Sequence, residues 1–318
     1  MDTRRLYSFV KIVDIGSLTR AATILHIAQP ALSQQVAALE THFGKQLLVR
    51  SKRGVVPTDA GRMLYKHAQS ILRQIEQIQT DIKTSGERVA GNVSVGLAPF
   101  STASMLALPL LKAVRERYPG IVLHINDNFG GVLSEMVMTG RMDLAFIYDP
   151  GPLNGLDFEP LLTEDLFLVA PAALMEHLPT SDMVAFEELA AMDLMLPTKI
   201  NTVRKLVDTT FRRVGATPRI VAEIESVATM TGAIQAGIGA TVLPWSAASA
   251  VNAADPEILI RRITKPSIPV KVSLCTSSQL PLSEPAIAVS DILVTLARSL
   301  AGHNEKSGTK TAENRKRK

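Results

Sequence analysis

Along residues 1–58 the apolar positions recur at helical spacing and then switch to alternation. Leu6, Phe9, Val10 and Val13 form one buried stripe on a first helix. Ser17 precedes Leu18-Thr19-Arg20-Ala21-Ala22 as the N-cap of a second helix, whose packing face carries Ala21, Ala22 and Leu25. After the short connection His26-Ile27-Ala28, Gln29-Pro30 opens a third helix, with the proline where its missing N–H costs little. Leu32, Val36 and Leu39 face inward from it, which leaves Gln29, Ser33 and Gln34 outside. The run from Leu47 to Pro57 reads as a hairpin with a basic tip.

Thr58-Asp59 starts a longer helix with few breakers before Ser85-Gly86. Leu64, Ala68, Ile71, Ile75, Ile78 and Ile82 step along it by fours and threes, a heptad seam of nearly three repeats. About thirty helical residues reach on the order of 45 Å. A stripe that apolar needs a cover, either a second copy of the helix, which makes it a dimerisation helix, or the chain's own body. From Gly91 the texture changes again. Val93–Leu97, Val122–Ile125, Leu144–Tyr148, Leu166–Ala170 and Val270–Leu274 read as strands. Met105–Tyr118 (with a kink at Pro109), Gly131–Thr139, Val203–Val214 and Val227–Ala236 read as helices. This alternation predicts an α/β body with parallel sheets in two lobes, residues 90–162 with 267–302, and residues 163–266. The chain crosses between them near Leu161–Thr163 and Lys265–Pro269.

Charge divides the chain along the same lines. Residues 1–89 hold 13 Lys and Arg against 7 Asp and Glu, whereas residues 90–302 hold 15 against 21. Residues 303–318 hold 6 against 2 and end Arg315-Lys-Arg-Lys318, which reads as a basic disordered tail. A basic head on a mildly acidic body points to a polyanion partner for the head alone; a small domain with spare positive charges is the plain alternative. The single cysteine, Cys275, rules out an internal disulfide framework and suits a reducing compartment. The N-terminal stretch lacks a continuous apolar run with a cleavage site, and the most apolar region, Ala233–Val251, is interrupted by Gln235, two glycines, Thr241 and Pro244. A cytoplasmic protein without a secretory signal or membrane span is expected.

Two helices joined by a tight turn, the second polar on its outer N-terminal face, make a helix-turn-helix. A glutamine amide both donates to and accepts from adenine in the major groove, and serine bonds a base edge or a phosphate. Gln29, Pro30, Ser33 and Gln34 are therefore candidates for base contact, with Thr19 and Arg20 beside them on the second helix. Arg50, Lys52 and Arg53 of the hairpin supply phosphate or minor-groove contacts, or stand as solvated turn residues. The runs Gly16-Ser-Leu-Thr-Arg-Ala-Ala22, Gln29-Pro-Ala-Leu-Ser-Gln-Gln-Val-Ala-Ala-Leu-Glu40, Leu47-Leu-Val-Arg50 and Pro57-Thr-Asp-Ala-Gly61 resemble, in order and nearly without gaps, the winged helix-turn-helix of LysR-type transcriptional regulators. Phe9–Leu18, Leu25–Pro30 and Lys52-Arg-Gly54 most resemble the nitrogen assimilation control branch. Ala28 departs from the serine or threonine of many members and cannot cap the third helix through its side chain.

The resemblance implies a 1–58 winged helix-turn-helix DNA-binding domain, a 59–89 linker and dimerisation helix, and a 90–302 effector-binding domain with the bilobed fold of periplasmic solute-binding proteins. Such folds bind ligands at strand carboxyl ends between the lobes. Ser101 and Thr102, after the first body strand, mark an anion site at a helix start or ordinary N-caps. Asn128 follows the second strand, and Thr198, Asn201 and Thr202 form a second polar loop opposite; by resemblance these line an inducer cleft. Glu223 and Glu225, two apart on one strand face, suit a buried or cleft-facing salt bridge.

No metal-ligand spacing joins the six histidines, and no Walker loop, nucleophile elbow or HExxH motif occurs. Gly237-Ile-Gly239 lacks the third glycine of a dinucleotide site and reads as a close-packed turn. No catalytic residue, metal or cofactor is expected. The reading is a regulator, activator or repressor, that binds an interrupted palindrome in double-stranded DNA as a homodimer or homotetramer. It controls nitrogen-metabolism genes, contacts RNA polymerase and takes a small organic effector. The alternative is a cytoplasmic solute-binding sensor whose DNA binding is nonspecific. An enzyme on the same scaffold is opposed by the missing catalytic constellation, and an RNA-binding role by the missing aromatic platform.

Overall fold

A computed structural model of the chain describes residues 2–51, 54–84, 89–302 and 310–311. It forms two compact units, one built on the residues up to the end of the long helix and one on the residues from the first body strand onward. In the first, α1 (Thr3–Ile15), α2 (Leu18–Leu25) and α3 (Gln29–Phe43) are followed by the strands β1 (Leu48–Ser51) and β2 (Gly54–Pro57) and by α4 (Asp59–Thr84). The periodicity lands as expected. Leu6 and Phe9 from α1, Ala21 and Ala22 from α2, and Leu32, Val36 and Leu39 from α3 are buried together. Ser17 caps α2 by accepting from the Arg20 N–H at 3.4 Å. His26 makes the turn between α2 and α3 with φ of 54°, where its backbone N–H reaches the carbonyls of Ala22 and Thr23. Ala28 makes no side-chain cap to α3.

The hairpin is tied to α3 by a carboxylate. Glu40 Oε1 accepts the backbone N–H of Leu47 at 2.8 Å and of Leu48 at 3.2 Å. The start of α4 then passes so close to the hairpin that a side chain at Gly61 would put its Cβ 2.0 Å from the carbonyl oxygen of Leu47. The expected seam on α4 is not one surface. Ala68 is fully buried in the head's own core, and Leu64 and Ile71 pack against that core. Ile75 is half-buried, while Ile78 and Ile82 stand 56% and 71% exposed. The cover for the first half is thus neither of the two expected ones: α4 closes the bottom of its own three-helix head.

The second unit begins with β3 (Ala90–Leu97), a short 3-10 turn at Thr102–Leu106, α5 (Ala107–Arg117), β4 (Gly120–Asp127), α6 (Gly130–Met138) and β5 (Leu144–Tyr148). Pro109 falls in the first turn of α5, so the expected kinked helix from Met105 is a 3-10 turn followed by a separate helix. Next come β6 (Leu156–Pro171), β7 (Met183–Ala185), β8 (Asp193–Leu196), α7 (Thr202–Val214), β9 (Arg219–Glu223), α8 (Val227–Gln235), β10 (Thr241–Pro244), α9 (Trp245–Ala254), β11 (Ile258–Thr264), β12 (Pro269–Ser277), α10 (Glu284–Gly302) and β13 (Lys310–Thr311).

The sheets are mixed, not purely parallel. Strand β3 pairs in parallel with β4 and β5, but β12, β11 and β10 all run antiparallel to β6. The sheet order is β4-β3-β5-β12-β6-β11-β7, and β8 and β9 form a parallel pair of their own. The cause is β6, which has 16 residues and stays in strand conformation through Leu161–Thr163. A strand that serves both sheets is met by the returning β11 and β12, which run against it. Residues Leu161–Ala170 of β6 are buried without a break, and a core of Val95, Leu97, Phe146, Leu168, Val272 and Leu293 gathers around them. Gly239 sits where a Cβ would lie 2.6 Å from the Asp193 carbonyl oxygen, in keeping with a close-packed turn.

Replacing Glu40 by alanine strands two backbone donors where the hairpin meets α3. Glu40→Ala is expected to destabilise the head by about 1–3 kcal/mol, seen as an early transition in denaturant. An unchanged denaturation curve would show that the carboxylate does not hold the hairpin.

Candidate functional site

The head presents its polar residues on one edge. Thr19, Arg20, Gln29, Pro30 and Gln34 are exposed, and Ser33 is half-buried. Arg20 is partly committed, its Nη2 donating to the Ile15 carbonyl at 3.0 Å. Arg50 Nη1 donates to Ser33 Oγ at 2.9 Å, so the hairpin and α3 are joined through two residues expected to act separately. Ser33 Oγ keeps its own proton for donation, and Arg50 keeps the rest of its fork. Lys52 and Arg53 lie outside the described residues. Exposed amides on α3 beside a basic hairpin suit a helix in the major groove flanked by a wing on the phosphates. Behind this edge, the Tyr65 hydroxyl donates to Asp14 from α4 to α1; burial and that carboxylate push its pKa up to about 12.

In the second unit a cavity of about 510 Å³ opens between two groups of loops. One wall is Ala98-Pro99-Phe100 after β3, Phe129–Val132 and Glu135 at the start of α6, and Tyr148 at the end of β5. The other is Pro197, Thr198 and Ile200–Val203 before and into α7, Glu225, Met230 and Thr241–Pro244. Of the expected effector residues, Thr198, Asn201 and Thr202 line it. Asn201 also caps α7, its Oδ1 accepting from the Val203 N–H at 2.9 Å.

Ser101, Thr102 and Asn128 are not among the lining residues. Ser101 is wholly buried, donating to the Ala98 carbonyl at 2.7 Å and accepting from the Ala103 N–H at 3.1 Å, which is the N-capping alternative. Thr102 points inward and donates to Glu164. Asn128 Oδ1 accepts from the Phe129 N–H at 2.9 Å. Ser101 leads into one 3-10 turn of five residues, too short to aim a helix dipole at an anion.

Glu223 and Glu225 part company. Glu223 closes β9 and pairs with Arg204 at 3.0 Å, while Glu225 lies past the strand and accepts the Thr198 N–H at 2.9 Å together with the Thr198 hydroxyl. The aromatic wall of Phe100, Phe129 and Tyr148 and the carboxylate Glu135 escaped the sequence reading, whereas Glu225, expected in a buried or cleft-facing salt bridge, lines the cavity and bonds Thr198. Gly130-Gly131 ahead of an apolar helical run was the one signal available for that wall.

Beneath Phe100 lies a buried polar group. Glu164, from the middle of β6, is 1% exposed. The Tyr148 hydroxyl lies 2.6 Å from Glu164 Oε1 and 3.0 Å from the Phe100 carbonyl oxygen, and Thr102 donates to Oε2. One hydroxyl proton faces two acceptors, a conflict that a protonated Glu164 removes. Burial pushes the Glu164 carboxyl up from its ordinary range, and burial beside Glu164 pushes Tyr148 well above its own. Phe100 is held with φ of 55°, a left-handed conformation costly for a phenylalanine. Cys275 is fully buried, and burial first, then Asp149 and Asp157, push its thiol up to about 12. Among the described residues, no group of three His, Cys, Asp or Glu side chains can hold a metal ion, and no helix is long and apolar enough to cross a membrane.

Comparison with known proteins covers nearly the whole chain. Residues 3–62 match the family model described as bacterial regulatory helix-turn-helix protein, lysR family. Residues 86–298 match the LysR substrate binding domain. The chain is 46% identical over 303 residues to the nitrogen assimilation regulatory protein nac of Escherichia coli strain K12, covering 94% of this chain and 96% of that protein. Identity to its namesake from Klebsiella aerogenes is 45%, with 93% and 95% covered. The fold is similar to a full-length OxyR variant from Pseudomonas aeruginosa, with a TM-score of 0.70 and 25% identity over 94% of this chain and 95% of that one. CbnR complexed with its target DNA shares the fold at a TM-score of 0.66 and 22% identity, over 93% of this chain and the whole of that one.

Glu164 binds its proton more tightly folded than unfolded. Its contribution to stability is fully present below the ordinary carboxylate range and is lost as pH rises through the raised folded value. Glu164→Gln keeps a donor and an acceptor without an ionisable proton, so its melting temperature relative to the parent should climb with pH above that range. Parallel melting curves at every pH would exclude the buried proton.

Proposed function

This chain belongs to the LysR family of transcriptional regulators, and on that premise we propose that it binds an interrupted palindrome as a dimer or a pair of dimers. Its targets include genes of nitrogen metabolism, and its cavity is an effector site. DNA binding and self-association come with the family. The observation that carries the finer reading is the exposed edge of α3, where Gln29, Pro30, Ser33 and Gln34 stand beside the hairpin arginine that donates to Ser33. In this reading Gln34 and Gln29 read base edges, Ser33 and Arg50 set the angle of the helix to the groove, and Lys52 and Arg53 hold phosphates.

The second half of the α4 seam supplies the dimer. Ile78 and Ile82 are too apolar to stay wet along one stripe, and the same stripe of a second copy covers them by two-fold symmetry. Two heads on one axis read two half-sites separated by a whole number of helical turns. Relatedness to the two nac proteins supports nitrogen-metabolism targets. Effector occupancy, contact with RNA polymerase and a cytoplasmic location complete the proposal, with bound effector changing the spacing between dimers and so the bend of the DNA.

Genomic fragments retained by the full-length protein at physiological salt should be enriched in two-fold sites upstream of nitrogen-metabolism genes. In the same selection Gln34→Ala should relax one base position in each half-site by about 1–3 kcal/mol; an unchanged sequence preference would contradict docking through α3. Light scattering separates the halves of the seam. Ile78→Asp with Ile82→Asp should give folded monomers, whereas Ala68→Asp should unfold the head. Intact oligomers from the double variant would move the dimer contact elsewhere.

A further inference from the structure

We propose that the cavity, taken as the effector site, accepts an organic cation: a primary ammonium or amidinium group on a compact apolar body. The inference rests on the effector-site reading of the proposed function. Among the described residues lining the cavity there is no Lys, Arg or His, while Glu225 is present; Glu135 also lines it but is already engaged by another group. Lys199, between two lining residues, is exposed and lies outside the lining. The guanidinium behind the α7 wall does not alter this balance. Arg204 is 4% exposed and occupied by Asp208 at 2.8 Å, Glu223 at 3.0 Å and the Pro197 carbonyl at 2.9 Å.

Glu225 is held ready for such a group. Its Oε1 takes both the N–H and the hydroxyl of Thr198, which fixes the carboxylate, and Oε2 accepts nothing from the described residues. A carboxylate ligand placed about 4 Å from it is disfavoured about a thousandfold at an effective dielectric of about 20. The start of α6 at Gly130-Gly131 also faces the cavity. It brings roughly half a positive charge, less than the full negative charge of Glu225. The remaining surface favours the same class of ligand. Three aromatic side chains, Phe100, Phe129 and Tyr148, line the cavity in a chain only 4% aromatic, and ring faces attract cations as well as apolar groups.

The chain carries its own reporter. Its one tryptophan, Trp245, follows the lining residue Pro244 and packs 5.4 Å from the ring of Phe167. Full-length protein titrated with 2-phenylethylamine, cyclohexylamine and benzamidine should change Trp245 emission and melt higher. 3-Phenylpropionate and benzoate should do neither at matched concentrations, and 2-phenylethanol should bind more weakly than the amine. Glu225→Gln keeps an acceptor for Thr198 and removes the charge. It should weaken the amines by about tenfold or more while leaving 2-phenylethanol unchanged. Tighter binding of the carboxylates, or amine affinities untouched by Glu225→Gln, would overturn the cation assignment and leave the cavity as an effector site. Failure of the whole panel to bind, or binding that survives filling the cavity with Thr202→Trp, would overturn the effector-site reading and the cation with it.

Discussion

One uninterrupted strand organises the second unit. Strand β6 pairs along its first half with β12 and along its second with β10 and β11, so two sheets share a single backbone. Its burial on both faces from Leu161 to Ala170 means that neither sheet can shift without exposing apolar surface from the other. A carboxyl at the midpoint of such a strand is costly unless it is protonated or fully bonded. Tyr148 and Thr102, both on the β3–β5 side, bond Glu164 there. The Tyr148 hydroxyl also lies 3.0 Å from the carbonyl oxygen of Phe100, so the buried group touches one wall of the cavity.

As proposed sites, the cavity and the head solve recognition in different ways. In the head, affinity and choice are divided: basic groups on the hairpin suit phosphates, and amides on α3 suit base edges. The Arg50–Ser33 bond links the hairpin to α3 across the two. Glu40, accepting two N–H groups at the base of the hairpin, does the same from the opposite end of α3. In the effector role proposed for the cavity, a mostly apolar and aromatic lining supplies bulk affinity, and a few fixed polar groups decide what enters. Thr198 spends both its N–H and its hydroxyl on positioning Glu225, so its expected place in the cleft is kept while its role changes from ligand contact to support.

Helix α4 shows how one sequence pattern meets two environments. Its heptad spacing is regular from Leu64 to Ile82, yet Ala68 is buried by α1 and its neighbours while Ile82 is left open. Periodicity reports that a stripe is buried and is silent on what buries it. The small side chain at position 68 is the local sign of the change, since an alanine lets α4 approach the head where a larger residue would hold it away.

What the amino-acid sequence determined by itself is what depends on near neighbours along the chain. The three head helices, the Ser17 cap, the uncapped start at Ala28, the basic hairpin and the long helix all follow from spacing, capping and turn chemistry acting within a few residues. The family resemblance rests on those same runs. What only the tertiary structure decided are contacts between residues far apart: Ser33 with Arg50, Thr198 with Glu225, and Thr102 and Tyr148 with Glu164. Thr102 proved neither an anion ligand nor an N-cap, and nothing in its own segment shows the buried glutamate 62 residues on that it bonds instead. Hydroxyls and carboxylates bond whatever the packing of distant strands brings within about 3 Å. That packing is set by the sum of buried surface over the whole unit, which no short stretch of sequence contains.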